Sequence, residues 1–571
     1  MIYRQKKKNK QINKKQTGKI LKIIPLGGQE EVGRNMTVFE YGQDIVIIDM
    51  GIQFPEENMP GIDFIIPNTK YLQGKERQIR GVIFTHGHMD HIGAAPILLE
   101  KLGNPTIIAR PLTLALIKNR QEDFKEGSTK RLKTITVKST RDKFRLGEFT
   151  LRFFPVDHSI MDAIGVILET PKATVIHTGD WTYEKDPVGR PAINYHHLAS
   201  LRKPTVLMME SLAATNTNPR VPEKIVYANL EKLIAAAPGR IIIGTFSSQI
   251  ERISNLTPIA EKYGRKIAFD GYSMRMNVEV AKKLGYIKFQ KDTVIPIKKI
   301  SDYPDNKILI LCTGAQGEAA AVLSRIVDGS HKYVEIKKQD TIIFSSSVIP
   351  GNERTIQRLK DSIYRLSDNV IHSDIMDVHI SGHSTAADLV EILKQIRPTY
   401  FLPVYANHYF LKEAAKLAMT NGFPKENIFV LDNGSIMEFF DGRPRILGDK
   451  VPSNYVMVDG LGVGDVGEVV LRDRNMLAKD GMVVIIVKVD DKRKQLVDEP
   501  DIISRGFVYM KGSDKLMADT KQKVKDIFNS NIHRKTSYWA PLQAKIRDEI
   551  GQYLFNKTER RPMVLPVLIE V

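Results

Sequence analysis

Apolar residues in this chain switch between a period of two and a helical period, and the switches mark its organisation. Residues 20–26, 36–41 and 44–49 are β-branched and aromatic runs separated by Gly27, Gly28 and Gly42, which predicts an opening meander of strands. Residues 81–84 predict a short buried strand and residues 94–102 a helix after it. Strands are expected again at 149–154 and 174–176. Residues 222–237 have helical spacing, with Ile225, Leu230, Leu233 and Ile234 on one side, before a strand at 240–243 and a loop at 245–249. A helix at 386–396, a strand at 400–404, a strand at 483–489 and helices at 519–528 and 542–554 complete the pattern, without an internal repeat.

Polar clusters collect where these strands end. Thr85, His86, Gly87, His88, Met89, Asp90 and His91 follow the strand at 81–84. Asp157-His158-Ser159 and His177-Thr178-Gly179-Asp180 follow the next two, and a histidine-rich segment, 378–384, comes about 200 residues later. Imidazole with carboxylate suits Zn²⁺ or another borderline divalent ion, and the first cluster holds more ligands than one ion needs. It reads as half of a two-metal site. A structural zinc is the plainer alternative, but such sites favour thiolates and the single cysteine, Cys312, is far away in sequence.

Composition adds limits. A chain of 571 residues exceeds one hydrophobic core, so two to four domains are expected. Its 42% hydrophobic and 26% charged residues suit a soluble globular protein, and no run of about 18 apolar residues predicts a membrane span. The start is lysine-rich, unlike a signal peptide, and a lone cysteine excludes an intrachain disulfide, so a reducing cytoplasm is expected. A net charge of +18 points to a polyanionic partner. Part of it lies in residues 1–19, expected to be a disordered arm that is either a solvated tail or an RNA contact.

The order His-x-His-x-Asp-His in a strand-to-helix loop resembles the metallo-β-lactamase superfamily, and His158 and Asp180 match its later ligands. The long insertion resembles the β-CASP nucleases. Segments 25–36, 312–318, 378–383, 458–467, 501–508 and 557–571 are similar to bacterial ribonuclease J. The resemblance implies an α/β chain: a metallo-β-lactamase αββα sandwich (20–208 and 371–450) interrupted by a β-CASP domain (209–370), then a linker and C-terminal α/β domain (451–571). It also implies two divalent ions, zinc first and manganese or magnesium as alternatives. His86, His88 and His158 would bind one, Asp90 and His91 the other, and Asp180 would bridge them.

The same resemblance assigns catalytic roles to Asp90, Glu210 and His383, and a phosphate pocket to His379, Ile380, Ser381, Gly382 and His383 with Ser247, Ser248 and Gln249. Plainer readings stand beside these: Glu210 as a surface carboxylate, Ser247 and Ser248 as turn residues, His379 as a buried orienting group. His383 has its own argument, since a departing ribose 3′-oxygen needs a proton and an imidazole can give one at neutral pH. His177 reads as support behind the ligands; His196, His197, His331, His372 and His533 read as surface or loop histidines.

One position departs from the family. Ribonuclease J resemblance predicts a metal-binding histidine where this chain has Tyr405. The second ion would then be held more weakly, use water, or recruit Tyr405 as phenolate or His408 from three positions on. The expected activity is metal-dependent hydrolysis of single-stranded RNA, 5′ to 3′ from a 5′-monophosphate and also internally, in rRNA processing and mRNA decay, by a homodimer or homotetramer. The alternative is a weakly catalytic RNA-binding subunit working with an active paralogue. Hydrolysis of a small ester or lactam is disfavoured by the insertion and the charge.

Overall fold

The computed structural model describes residues 18–315, 321–348, 352–440, 442–490, 492–507, 513–531 and 539–571. The arm up to residue 17, positions 316–318 and 508 of the family-like segments, and His533 lie outside the described residues. The chain forms two units, residues up to 53 with 66–455, and residues 54–65 with 456–571.

In the larger unit the expected meander forms: Leu21–Gly27, Met36–Tyr41 and Asp44–Ile48 pair antiparallel. Ile79–Ile83, Ile107–Ala109 and Thr134–Thr136 extend it as parallel neighbours, and Ser435–Phe440 and Arg443–Lys450 close the other side of an eight-stranded sheet. A second sheet of six strands runs Tyr400–Val404, Thr205–Glu210, Thr174–His177, Ile164–Glu169, Phe149–Pro155 and Lys143–Leu146. Ile23, Phe39 and Val46 from the first sheet share a core with Phe149, Val166 and Val206 from the second. Each such side chain, fully removed from water, contributes about 1.5–3 kcal/mol. The outer face of the second sheet is covered by Ala386–Ile396, whose Leu389, Ile392 and Ile396 meet Phe154, Ile176 and Phe401. That helix starts on a capping box between Thr385 and Asp388.

The chain leaves this sandwich after Thr205–Glu210 and returns beside it, since Tyr400–Val404 pairs parallel with Glu210 opposite Val404. Between them lies a five-stranded parallel sheet in the order Lys266–Asp270, Ile308–Cys312, Ile241–Gly244, Thr341–Phe344 and Asn369–Ile371. Separate apolar clusters line its two faces, which explains strands such as Ile241–Gly244 that are apolar throughout. The helix predicted at 222–237 is Glu223–Ala236, but its buried stripe is Val226, Leu230 and Ile234. Ile225 is exposed and Leu233 only half-buried, because a stripe centred on Leu230 leaves Ile225 about 140° away and Leu233 about 60° away.

The smaller unit takes in residues 54–65 from within the expected 20–208 segment: Asp63 N–H donates to Val458 O at 2.9 Å, and Phe64–Ile66 joins Val456–Asp459 and Gly462–Val463 in one sheet. The strand Met482–Asp490 pairs with Asp501–Arg505 and with Met563–Glu570. Its Val483, Ile485, Val487 and Val489 pack under Asp514–Asn531 and Ala540–Thr558, the predicted pair of helices at fuller length. Among the described residues, no helix is long and apolar enough to cross a membrane.

Candidate metal centre

Topology gathers the polar clusters. Phe149–Pro155, Thr174–His177, Thr205–Glu210 and Tyr400–Val404 run in one direction and end at one edge of their sheet. His158, Asp180, Glu210 and Tyr405 stand at those ends. The first sheet supplies His86 and His88 from the loop after Ile79–Ile83, and Asp90 and His91 from the one-turn helix Met89–Ile92.

Hydrogen bonds orient each histidine. His158 Nδ1–H donates to the Gly382 carbonyl at 2.7 Å, and His88 Nε2 pairs with Ser248 Oγ at 3.0 Å. Thr85 Oγ1 gives its proton to Asp49 at 3.0 Å, so it accepts from His86 Nδ1–H, also at 3.0 Å. Lone pairs remain on His86 Nε2 and His158 Nε2, and on His88 Nδ1 in the tautomer whose Nε2–H donates to Ser248. Burial keeps all three rings neutral, with pKa well below the usual range for His86, about 4 for His88 and about 3 for His158. Yet His88 Nδ1 lies 3.2 Å from His86 Nε2 and 3.0 Å from His158 Nε2. Three lone pairs this close repel one another unless a cation is shared among them. A tetrahedral ion with Zn–N of about 2.0–2.1 Å sets its nitrogens about 3.3 Å apart, so the set fits. Asp180 Oδ2, 3.9 Å from both His86 Nε2 and His158 Nε2, offers the fourth donor.

A second donor set adjoins it. His91 Nδ1–H donates to Asp49 Oδ2 at 2.8 Å, leaving Nε2 facing Asp180 Oδ1 at 3.2 Å and Asp90 Oδ2 at 3.4 Å. Burial lowers the His91 pKa, but Asp180, Asp90 and Asp49 outweigh it and hold the ring well above its ordinary range. This end of the site therefore calls for positive charge. Asp180 reaches both sets through its two oxygens.

Known proteins match this arrangement along the chain. Residues 30–213 match the metallo-beta-lactamase superfamily, residues 238–363 the Ribonuclease J beta-CASP domain, and residues 469–571 the Ribonuclease J C-terminal domain. Ribonuclease J 1 of Streptococcus pyogenes serotype M3 is 36% identical over 96% of this chain and 97% of its own length. Ribonuclease J2 of Bacillus subtilis is 33% identical over 98% and 100%. The chain belongs to the ribonuclease J family. A protein of unknown function from Enterococcus faecalis V583, 14% identical, shares the fold over 73% of this chain and 100% of its own, with a TM-score of 0.50.

Ribonuclease J membership gives the donor clusters a divalent-metal role, and the structure shows how their surroundings are built. The Tyr405 hydroxyl does not turn into the second set: it donates to Asp49 Oδ2 at 3.3 Å. Burial first, then Asp49 and Asp180, push its pKa well above the usual phenol, so without an ion beside it the hydroxyl stays neutral. His408 is no substitute either. It opens the helix His408–Thr420 and groups with Glu30 and Asp432, its Nδ1 3.5 Å from Asp432 Oδ1.

Beside the donors, His383 Nδ1 lies 3.6 Å from Glu210 Oε1. Burial lowers the His383 pKa, but Glu210, Asp180 and Asp90 raise it further, to about 9, so the ring is charged at neutral pH. Glu210 is itself buried, which removes the surface-carboxylate reading.

The phosphate-pocket residues divide. Gln249, Ile380 and Ser381 line one cleft with His158, Arg220 and Arg252. Ser248 is bonded to His88, Gly382 to His158, and the Ser247 carbonyl accepts from Asn277. His379 bridges Arg252 and Ser347, at 2.8 Å to each. His177 accepts from Gly179 N–H at 3.0 Å and so shapes the turn carrying Asp180. His331 lies in a loop with its side chain buried against Asp270 at 2.7 Å. Sequence reasoning also missed Asp49, whose signal was a carboxylate ending the apolar run 45–48.

Proposed function

We propose that this chain is a metal-dependent ribonuclease that removes nucleotides 5′ to 3′ from a 5′-monophosphate end and also cuts internally, in rRNA processing and mRNA decay in the cytoplasm. The observation that carries this is the imidazole of His383, 3.6 Å from Glu210, beside a cluster of donors that fits divalent ions. Bound ions supply a lowered pKa for water and stabilise charge on phosphoryl oxygens, with zinc expected and manganese or magnesium as alternatives. His86, His88, His158 and Asp180 would hold one, and Asp180, Asp90 and His91 the other.

The protein's own groups supply the rest. Hydroxide attack on phosphorus breaks the bond to the 3′-oxygen, and His383 gives that oxygen its proton, leaving a 5′-phosphate product. Glu210 holds His383 charged and aimed. Asp90, whose side chain is 34% exposed where those of Asp180, His86, His91 and His158 are almost wholly covered, is placed to orient the entering water and take its proton. Arg220, Arg252, Gln249 and Ser381 line the cleft proposed for phosphate and backbone of single-stranded RNA. The C-terminal unit is the proposed means of forming a homodimer or homotetramer.

The Tyr405 contact with Asp49 supports a second reading, a weakly catalytic RNA-binding subunit that pairs with an active paralogue. Cleavage of a 5′-monophosphorylated single-stranded RNA by the purified chain, with Zn²⁺, Mn²⁺ or Mg²⁺, separates them when run beside His88→Ala and Tyr405→His. The nuclease reading expects 5′-mononucleotides from the wild type and none from His88→Ala. Cleavage that appears only in Tyr405→His would overturn it in favour of the subunit.

A further inference from the structure

The second donor set is short of a ligand. His91 Nε2, Asp180 Oδ1 and Asp90 Oδ2 converge, Tyr405 faces Asp49, and His408 lies with Asp432. One other polar end reaches the same point, the side-chain amide of Asn35. Its Nδ2 lies 2.9 Å from His91 Nε2 and 3.4 Å from Asp90 Oδ2. Its Oδ1 is buried and has no hydrogen-bond partner among the described residues, and Asn35 is only 2% exposed. The residue is pinned in place, since its N–H donates to Asp90 O at 3.1 Å and its carbonyl accepts from Gly51 N–H at 3.0 Å.

The two ends of a carboxamide have the same shape, so a half-turn about its last bond exchanges oxygen for nitrogen without moving a neighbour. We propose that Asn35, through Oδ1, is the fourth ligand of the second metal ion in this chain. The turn aims the oxygen at the spot where His91 and Asp90 offer electron pairs to a cation and carries the N–H₂ donor away from it to the position Oδ1 leaves.

The donor chemistry then sets the choice of ion. The first set is three imidazole nitrogens and one carboxylate, which suits zinc. The second is one imidazole nitrogen with oxygens from Asp180, Asp90 and Asn35, which suits a harder, oxygen-preferring ion such as Mn²⁺ or Mg²⁺. A mixed centre follows, with zinc in the first position and manganese or magnesium in the second. Gly28, at φ +84°, keeps the room for this: a Cβ there would sit 2.5 Å from Asn35 Oδ1 and 2.7 Å from the Tyr405 ring.

The inference rests on the two-ion reading of the site but not on RNA as its substrate, so metal content tests it directly. The full-length chain is stripped, reloaded with one equivalent of Zn²⁺ and titrated with Mn²⁺, and bound metal is counted by native mass spectrometry. The wild type should hold one zinc and one manganese. Asn35→Ala should keep the zinc, which reports an intact fold, and bind manganese at least about 100-fold more weakly, beyond the usual cost of losing an outer hydrogen-bond partner. Asn35→Asp decides the chemistry: a carboxylate ligand retains the manganese, whereas a residue that serves only as a donor to Asp90 would lose it. Tyr405→His should move the second position toward zinc. Wild-type manganese affinity in Asn35→Ala, loss of manganese in Asn35→Asp, or a wild type that takes up no second ion would each overturn the proposal. None of these outcomes depends on whether the chain cleaves RNA.

Discussion

The hydroxyl of Tyr405 lies 3.3 Å from Asp49 Oδ2, the same oxygen that accepts the Nδ1 proton of His91 at 2.8 Å. Tyr405 thus acts on the donor set through two other side chains. Both Tyr405 and Asp49 have positive φ, 60° and 63°, a costly conformation for residues other than glycine. It is stabilised at Tyr405 by an N–H bond to Gly28 O at 2.7 Å, and at Asp49 by an N–H bond to Ile83 O at 2.9 Å.

Asp49→Asn should therefore weaken metal binding without removing a ligand. An amide is a poorer acceptor for the His91 proton, and loss of such an orienting partner costs about 10- to 100-fold in metal affinity. Tyr405→Phe leaves the His91 bond intact and removes one long hydrogen bond, so it should cost only about 1 kcal/mol of stability. Calorimetric metal titration and urea melts of the two variants check this. Equal metal affinity in Asp49→Asn and wild type would refute the orienting role.

His383→Ala should lower turnover by about 10²- to 10⁴-fold, the usual range for a general acid, while RNA binding stays close to wild type. Glu210→Gln should lower turnover less, since the imidazole remains but loses the carboxylate that keeps it charged. Single-turnover cleavage with separate binding isotherms measures both. A His383→Ala chain with normal single-turnover rate would remove this residue from the proton transfer.

Much of this donor cluster was legible because its members are close in sequence. His86, His88, Asp90 and His91 fall within six consecutive residues, and His158 and Asp180 end short apolar runs. What escaped is what the topology joins across distance. Ser248 reaches His88 over 160 positions and Tyr405 reaches Asp49 over 356, and no periodicity encodes either pairing. His408 misled because adjacency in sequence stood in for direction: the helix it starts turns it to Asp432. Residues 54–65 show the same limit, since the partners they pack with begin near residue 456.

His379 predicts a pH dependence of stability. Burial, then the charge of Arg252, hold its pKa well below 6.5, so the folded chain keeps it neutral where the unfolded chain protonates it. A depressed folded pKa means that the contribution is complete above about pH 6.5 and is lost as pH falls below that value. One such group gives a slope of up to about 1.4 kcal/mol per pH unit. The wild type should lose stability toward pH 5 more steeply than His379→Gln, in denaturant melts under identical metal conditions. Parallel curves would show that the ring titrates alike in both states.

Removing divalent ions should destabilise the larger unit, because the lone pairs of His86, His88 and His158 are then left 3.0–3.2 Å apart with nothing to bind. Binding to the folded state alone stabilises by about 2.7 kcal/mol at a free ion concentration 100 times the dissociation constant. Chelation should lower the melting temperature of the wild type by several degrees, and readded zinc should restore it. The His88→Ala chain lacks one of the crowded nitrogens, so it should melt above the chelated wild type or close to it and respond little to zinc. If chelation leaves the wild-type melting temperature unchanged, the three rings satisfy one another by hydrogen bonds, and the argument from converging lone pairs to a bound cation is wrong.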